Sequence, residues 1–220
     1  MSEGIINING DHVQTLEILF LTTVIALLPS LLVMMTSFTR YIISFSFLRS
    51  AIGTQQTPPN IVLIGIALFL TYFTMQPVFT QIRTEAYEPY AAEEISQEEF
   101  LSRAEVPLKE FMLRNTKTTT MFCDLAHVDL GAEIDTETAM ELPLRVVVPS
   151  FMTCELQRAF MIGLVLYIPF MLIDIVVSST LMSMGMIMLP PSMISMPFKL
   201  LLFVTINGWE LLFSNLVKSF

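Results

Sequence analysis

Charged residues are scarce in this sequence. They make up 14% of its 220 residues, whereas hydrophobic residues make up 54%. A water-soluble domain carries about a quarter of its residues as Asp, Glu, Lys and Arg, so the apolar excess here has to be covered by lipid or by other subunits. With 11 basic residues against 20 acidic ones, the chain also lacks the basic footprint that nucleic-acid binding requires.

Residues that commonly carry chemistry are also few. The chain has two histidines, His12 and His127, and two cysteines, Cys123 and Cys154. Their spacing matches neither a zinc site nor a C-x-x-C motif, so we interpret the cysteines as two separate packing thiols. The loop GTQQTPPN lacks the glycines and the lysine of a phosphate-binding loop. We expect no catalysis, no cofactor and no metal.

Long apolar runs are what the sequence has in abundance. Four such regions run from about residue 16 to Phe38, from Ile61 to Phe79, from Val146 to Val177, and from Phe198 to Val217. Each is close to or longer than the roughly 20 residues that cross a bilayer as a helix. The sequence therefore predicts an all-α membrane protein with about four long hydrophobic helices arranged as hairpins.

The segment between the second and third regions is different in character. Residues 82–145 hold most of the acidic side chains and three prolines. The run EEISQEEFLSRAEVPLKEFMLRNT has helical spacing, with an apolar face made of Phe100, Leu101, Leu108, Phe111 and Met112. We predict a small, mainly helical, extracytoplasmic domain at 82–145, between an N-terminal segment with the first hairpin (1–81) and a C-terminal hairpin (146–220).

Two arginines suggest an orientation. Arg40 and Arg49 lie in the short polar stretch between the first two apolar regions. Because cytoplasmic loops of membrane proteins are enriched in Lys and Arg, this stretch is predicted to be cytoplasmic. Both termini and the acidic segment then lie outside, and the tip of the last hairpin points toward the cytoplasm.

That tip is rich in methionine. Met182, Met184, Met186 and Met188 alternate with other residues, and Gly185 and Pro190–Pro191 mark a turn. A period of two does not line one helix face, so the pattern suits an extended loop that presents several flexible thioethers. The residues alone leave two interpretations open: ordinary packing, or a pliable seal in a pore.

Several charged residues interrupt the apolar regions. Asp174 and Lys199 flank the tip at similar distances, so a hairpin brings them together as an ion pair, unless each finds its own partner or water. In the paired case, exchanging the two charges is expected to rescue the single variants. Charges in apolar segments, here Asp174, Lys199 and Glu210, also occur in small-molecule or proton-coupled transporters, which is the alternative function, although no internal repeat supports it.

Two further pairs are candidates for interfaces. Glu155 and Arg158 are three residues apart and can pair along one helix face, or they can be a solvated helix start. Trp209 and Glu210 fit either a subunit contact or a membrane boundary, because tryptophan favours both places.

Motifs along nearly the whole chain resemble one known family. LLVMMTSFTR, AIGTQQTPPN, VLIGIALFLT, KEFMLRNT, PFMLIDIVVSSTLMSMGMIMLPPSMISMPFKLLLF and NGWELLFSNLVKSF are similar, in this order, to the motifs of the FliP/SctR family of type III secretion export-gate subunits. The resemblance is weakest at about residues 117–140.

The resemblance implies a function. Members assemble as several copies with FliQ-like and FliR-like subunits into a pore-forming gate, beside FlhB/FlhA-like components. The gate passes unfolded rod, hook and filament proteins across the bacterial inner membrane at the flagellar basal body. Partners supply the energy: an ATPase and the proton motive force.

The resemblance also implies a role for the tip. The family's methionine gasket corresponds to Met186, Ile187 and Met188, and the loop around it to Met182, Met184, Gly185, Pro190 and Pro191. Isoleucine stands in the middle position, where close relatives have methionine, and its branched side chain is stiffer.

Overall fold

The computed structural model describes residues 7–8, 11–12, 14–54, 56–128, 136–186 and 188–220. This part of the chain is almost entirely helical, as predicted, apart from the short antiparallel strands β1 (Asn7–Ile8) and β2 (Asp11–His12). The helices are α1 (Gln14–Met35), α2 (Phe38–Ile52), α3 (Asn60–Gln81), α4 (Glu88–Ala91), α5 (Gln97–Arg114), α6 (Thr120–Leu125), α7 (Thr136–Glu141), α8 (Leu144–Ser183), α9 (Pro191–Thr205) and α10 (Gly208–Lys218).

Helix α2 corrects the sequence interpretation, which made this stretch a polar connection. Its large apolar residues Tyr41, Phe45, Leu48 and Ile52 recur at steps of three and four residues and are all buried, as expected for one helix face. The helix ends at Gly53, whose φ of 90° lies in the left-handed region that glycine adopts without steric cost. Helix α2 packs chiefly on α8.

Burial of Arg40 weakens the predicted orientation. Arg40 lies inside α2 and is 1% exposed, so it is not a loop residue that the positive-inside rule counts. Arg49 remains at the end of α2, where its guanidinium donates to the side chain of Asn60. The orientation stays a prediction that now rests on one of its two arginines.

Helix α3 continues beyond the predicted apolar region. A π-helical turn at Ile82–Tyr87 joins α3 to α4, so that Asn60–Ala91 forms one helical run of 32 residues. Pro77 lies within the helix without ending it. Helical backbone therefore continues across residue 82, where the sequence predicts a domain boundary. The boundary remains a prediction.

Helix α5 lies where helical spacing predicts it. Its N-cap is Ser96, whose hydroxyl accepts from the backbone N–H of Glu99 at 3.3 Å, an arrangement that satisfies a free helix donor. Phe111 and Met112 of the predicted face are buried, whereas Leu101 is exposed. Because Phe111 and Met112 pack against the start of α8, α5 is attached to the rest of the fold at its C-terminal end.

The fourth apolar region is two helices rather than one. Helices α9 and α10 meet at a 64° bend, where Asn207 has a φ of 50°, a conformation that asparagine tolerates better than most residues. Gly208 begins α10, and any Cβ there would collide with the ring of Phe203. The bend folds α10 back toward α2 and α3, so the predicted continuous helix is wrong.

The number of candidate membrane spans is therefore two or three in the described part of the chain. Asn60–Ala91 and α8 are long and apolar enough to cross a membrane, and α9 with α10 adds a third if the bent pair counts as one span. Helix α1 contributes a shorter apolar stretch, Ile18–Leu31. The layout of four long helices in hairpins is thus supported only in part.

Helix α8 is the longest helix and contributes to both core clusters. Its 40 residues correspond to about 60 Å at 1.5 Å per residue, about twice the ~30 Å hydrocarbon thickness of a bilayer. One core cluster joins its second half to α2, α3, α9 and α10, and another joins its first half to α3, α5 and α6. Phe220 packs against both clusters.

Candidate functional site

The methionine tip is the short connection between α8 and α9. Helix α8 ends in a Schellman motif: the N–H of Met186 donates to the carbonyl of Leu181, and that of Gly185 to Met182, both at 3.0 Å. Gly185 has a φ of 74°, which this motif requires after the helix end. Pro190 caps α9 and Pro191 is its first residue, a position where a missing N–H costs nothing.

The tip projects its methionines away from the chain. Met188 is 99% exposed, and Met186 is 44% exposed. Met182 and Met193 are also exposed but belong to α8 and α9, so only part of the alternating run forms the predicted extended loop. Ile187, assigned to the gasket, lies outside the described residues.

The structure brings Asp174 and Lys199 into contact below the tip. The Lys199 ammonium donates to Asp174 Oδ2 at 2.7 Å and also to the backbone carbonyl of Ala51 at 3.0 Å. Ser195 donates to Asp174 Oδ1 at 2.6 Å. The lysine thus links three helices, α8, α9 and the end of α2. Its positive charge also interacts favourably with the free carbonyl groups at the C-terminal end of α2.

A second polar cluster is buried near the other end of α2. Arg40 and Glu155 form a two-point ion pair, and their side chains are 1% and 0% exposed. Arg158 donates to Glu155 Oε1 and to the side-chain oxygen of Asn115, both at 3.3 Å. The interpretation of Glu155 as part of a solvated helix start is therefore wrong, because it lies inside α8.

Arg40 is the member of this cluster that sequence reasoning missed. A single glutamate in a long apolar run needs a cationic partner when it is buried. This requirement indicates from the sequence that Glu155 has such a partner. The partner could not be chosen from the sequence, because it lies 115 residues earlier in the chain. Arg40 also donates to the carbonyl and hydroxyl of Ser219, at 2.9 and 2.7 Å.

The remaining predicted residues lie apart from these clusters. Trp209 packs edge-on against Phe203, with ring centroids 5.2 Å apart, and Glu210 beside it is exposed. Cys123 and Cys154 are both buried and free. In the described ranges no group of three His, Cys, Asp or Glu side chains is placed to hold a metal ion.

Comparison with known sequences covers most of the fold described above. The sequence profile of the FliP family matches residues 21–216. Three similar proteins all carry the name flagellar biosynthetic protein FliP. That of Aquifex aeolicus is 48% identical over 211 residues, 96% of this chain and 88% of the relative. That of Bacillus subtilis is 48% identical over 209 residues, 94% and 92% of the two chains.

The third relative, from Caulobacter vibrioides, is 45% identical over 226 residues, which cover 100% of this chain and 84% of its own. The matched regions include α2, the tip and α10. Identity of this level over nearly the whole chain is far more specific than any single motif. The chain belongs to the FliP family.

Proposed function

We propose that this chain is a pore-forming core subunit of the flagellar type III protein export gate. In this role it passes unfolded rod, hook and filament proteins across the inner membrane during flagellum assembly. The observation that carries the proposal is membership of the FliP family over residues 21–216, together with relatives named as flagellar biosynthetic proteins.

The exposed tip supports a role for the methionines as the pore seal. An unbranched thioether side chain adapts to irregular neighbours, and Met188 has almost its whole surface free to make such contacts. Several copies arranged around an axis would direct these side chains at one another. Met186 and Met188, with Ile187, then close the pore against ions and yield to a passing polypeptide.

The outer surface supports assembly in a membrane with other subunits. Exposed apolar side chains cover α1, α3 and α8, among them Phe69, Phe73 and Leu164 at 71%, 58% and 63% exposure. A monomer in water does not keep so large an apolar surface uncovered. We assign its cover to lipid of the inner membrane, to further copies, and to FliQ-like and FliR-like subunits of the basal body.

The transporter alternative loses support at two of the three charged residues that suggested it. Asp174 and Lys199 neutralise each other and are further bonded to Ser195 and Ala51. A proton- or solute-coupled site requires such groups to change partners during transport. The proposed export role requires no catalysis by this chain, because an ATPase and the proton motive force supply the energy through its partners.

The mass and composition of the detergent-extracted particle test the proposal. We expect a large complex that contains several copies of this chain with FliQ-like and FliR-like subunits. The matched preparation is a strain that lacks the FliQ-like subunit, in which the particle should become smaller. A solitary monomer that binds a small solute would contradict the export role and favour the transporter.

A further inference from the structure

Oxidisable sulfur is concentrated at the connection between α8 and α9. We define the tip methionines as Met182, Met184, Met186, Met188 and Met193, which lie within residues 182–193. All five are exposed, from 44% for Met186 to 99% for Met188. The backbone hydrogen bonds of the Schellman motif at Gly185 fix where Met184 and Met186 leave the end of α8.

Thioether sulfur reacts with peroxides in a simple, balanced step. The sulfur lone pair attacks one oxygen of hydrogen peroxide, an S–O bond forms and the O–O bond breaks. The sulfur loses two electrons. The departing hydroxide takes up the proton of the oxygen that is now bound to sulfur, and it leaves as water. The product, methionine sulfoxide, is polar, and methionine sulfoxide reductases return it to the thioether.

We propose that the tip methionines are a reversible oxidation site, with hydrogen peroxide as the class of oxidant. Sulfoxide formation there opens the seal to ions, because it replaces apolar, pliable side chains with polar ones. This consequence for conductance rests on the proposed function, whereas the oxidation site itself does not. The tip thereby makes the gate sensitive to oxidative conditions.

Other methionines in the chain supply internal references. Met75 and Met112 are both fully buried in the core, where a peroxide reaches them only when the fold opens. Met161 and Met171 are also exposed, but they lie more than ten residues before the end of α8 at Ser183, within a helix apolar enough to cross a membrane, so we expect lipid or detergent to cover them. Met121 on the short helix α6 is 60% exposed and is the exposed reference outside the tip.

The first experiment maps oxidation on the chain in detergent. Hydrogen peroxide is added for increasing times, and peptide mass spectrometry measures the sulfoxide fraction at each methionine. We expect the tip methionines to react roughly tenfold faster than Met75 and Met112, since exposure controls susceptibility. In denaturant this difference should disappear. Equal rates at tip and core positions of the folded chain would overturn the proposal.

The second experiment measures ion conductance of the complete particle in a lipid bilayer before and after peroxide. The test variant changes all five tip methionines to leucine, which keeps size and apolarity but cannot be oxidised. The control variant is Met121→Leu. We expect peroxide to raise conductance of the natural protein and the control, but not of the five-leucine variant, each relative to its own untreated baseline.

Reversal identifies the chemistry. Treatment with the two methionine sulfoxide reductases, one for each sulfoxide epimer, should restore low conductance. These enzymes do not reduce the higher acids of cysteine, so restoration would exclude oxidation of the buried cysteines as the cause. An unchanged conductance despite sulfoxide at the tip would overturn the proposed opening, and so would an equal rise in the five-leucine variant. Failure of the export role itself would be seen separately, as a particle without partner subunits.

Discussion

The guanidinium of Arg40 and the carboxylate of Glu155 meet in the core, with Nε 2.6 Å from Oε2 and Nη2 2.5 Å from Oε1. The remaining nitrogen, Nη1, donates to Ser219. The guanidinium carbon Cζ lies 3.4 Å from the ring centroid of Phe220, a favourable cation–π arrangement. Thus one arginine ties α2 to α8 and to the residues after α10.

Removing Arg40 should destabilise the fold strongly. In Arg40→Met the buried Glu155 keeps only the longer contact to Arg158, and loss of one partner of a buried pair costs ~3–5 kcal/mol. The matched control is Arg103→Met, which breaks an exposed Arg–Glu pair with Glu99 and should cost about 0–1 kcal/mol. Thermal unfolding of the detergent-solubilised protein measures both. Similar losses in the two variants would contradict the assignment.

Lys199 should matter more than Asp174. Lys199→Met removes the links to α8 and to the buried carbonyl of Ala51 together, at a cost of about 1–3 kcal/mol. Asp174→Asn keeps a side-chain acceptor at a half-buried position. Comparison of the two unfolding transitions, with motility of complemented cells as a second readout, tests this order. Greater damage from Asp174→Asn would refute it.

Exchanging the two charges should not rescue the single variants, although the pair is in direct contact. An aspartate at position 199 cannot donate to Ala51, because a carboxylate only accepts hydrogen bonds. A lysine at position 174 cannot accept from the hydroxyl of Ser195, so that contact survives only with its direction reversed, the hydroxyl accepting from the ammonium. On these geometric grounds we replace the expectation of rescue with an expectation of no rescue. Full rescue of motility by the exchanged pair would show that the contacts to Ala51 and Ser195 are dispensable.

Two helical glycines should respond oppositely to alanine. A Cβ at Gly163 of α8 would lie 2.5 Å from Cγ and Cδ2 of Phe47 on α2, so Gly163→Ala overpacks the interface and should cost about 1–3 kcal/mol. At Gly65 of α3 nothing lies within 4 Å. There alanine should stabilise by about 0.5–1 kcal/mol through its helix propensity. Unfolding measurements that show the same sign for both would contradict this packing.

Truncating the tip should make the gate leak. Met186→Ala combined with Met188→Ala removes the two thioethers assigned to the gasket, and we expect higher ion conductance of the assembled particle. Met121→Ala, an exposed position on α6, is the control and should leave conductance unchanged. Equal conductance of the double variant and the natural protein would mean that something other than these two side chains closes the pore.

Phe220 should contribute to holding the two core clusters together. Its ring stacks on Phe111 with centroids 5.9 Å apart and meets Tyr41 edge-on at 5.7 Å. Phe220→Ala should lower the free energy of unfolding by about 2–4 kcal/mol. This loss is smaller than that for a fully buried phenylalanine, because Phe220 is only half-buried. Leu201→Ala, at an exposed position on α9, is the control. An equal small effect of both would rule out the bridging role.

Local properties of the chain were sufficient for much of this description. Apolar content and region length predict helices and a membrane environment, because backbone groups away from water must bond within their own helix. Gly185 and Pro190–Pro191 mark the tip because left-handed and N–H-free positions select these residues. The spacing of Phe111 and Met112 likewise predicts α5. None of these features needs knowledge of a distant part of the chain.

Other features depend on contacts between residues far apart in sequence. Arg40 looks like a loop charge until Glu155 neutralises it across the core, and only then does α2 become a buried helix. The acceptor of Lys199 is a backbone carbonyl at Ala51, and a carbonyl is present at every residue, so no side-chain pattern distinguishes it. The bend at Asn207 is likewise set by the packing of α10 against α2 and α3. Burial of a charge or a bent backbone is stable only when its partners are in place, and the positions of those partners are a property of the folded chain.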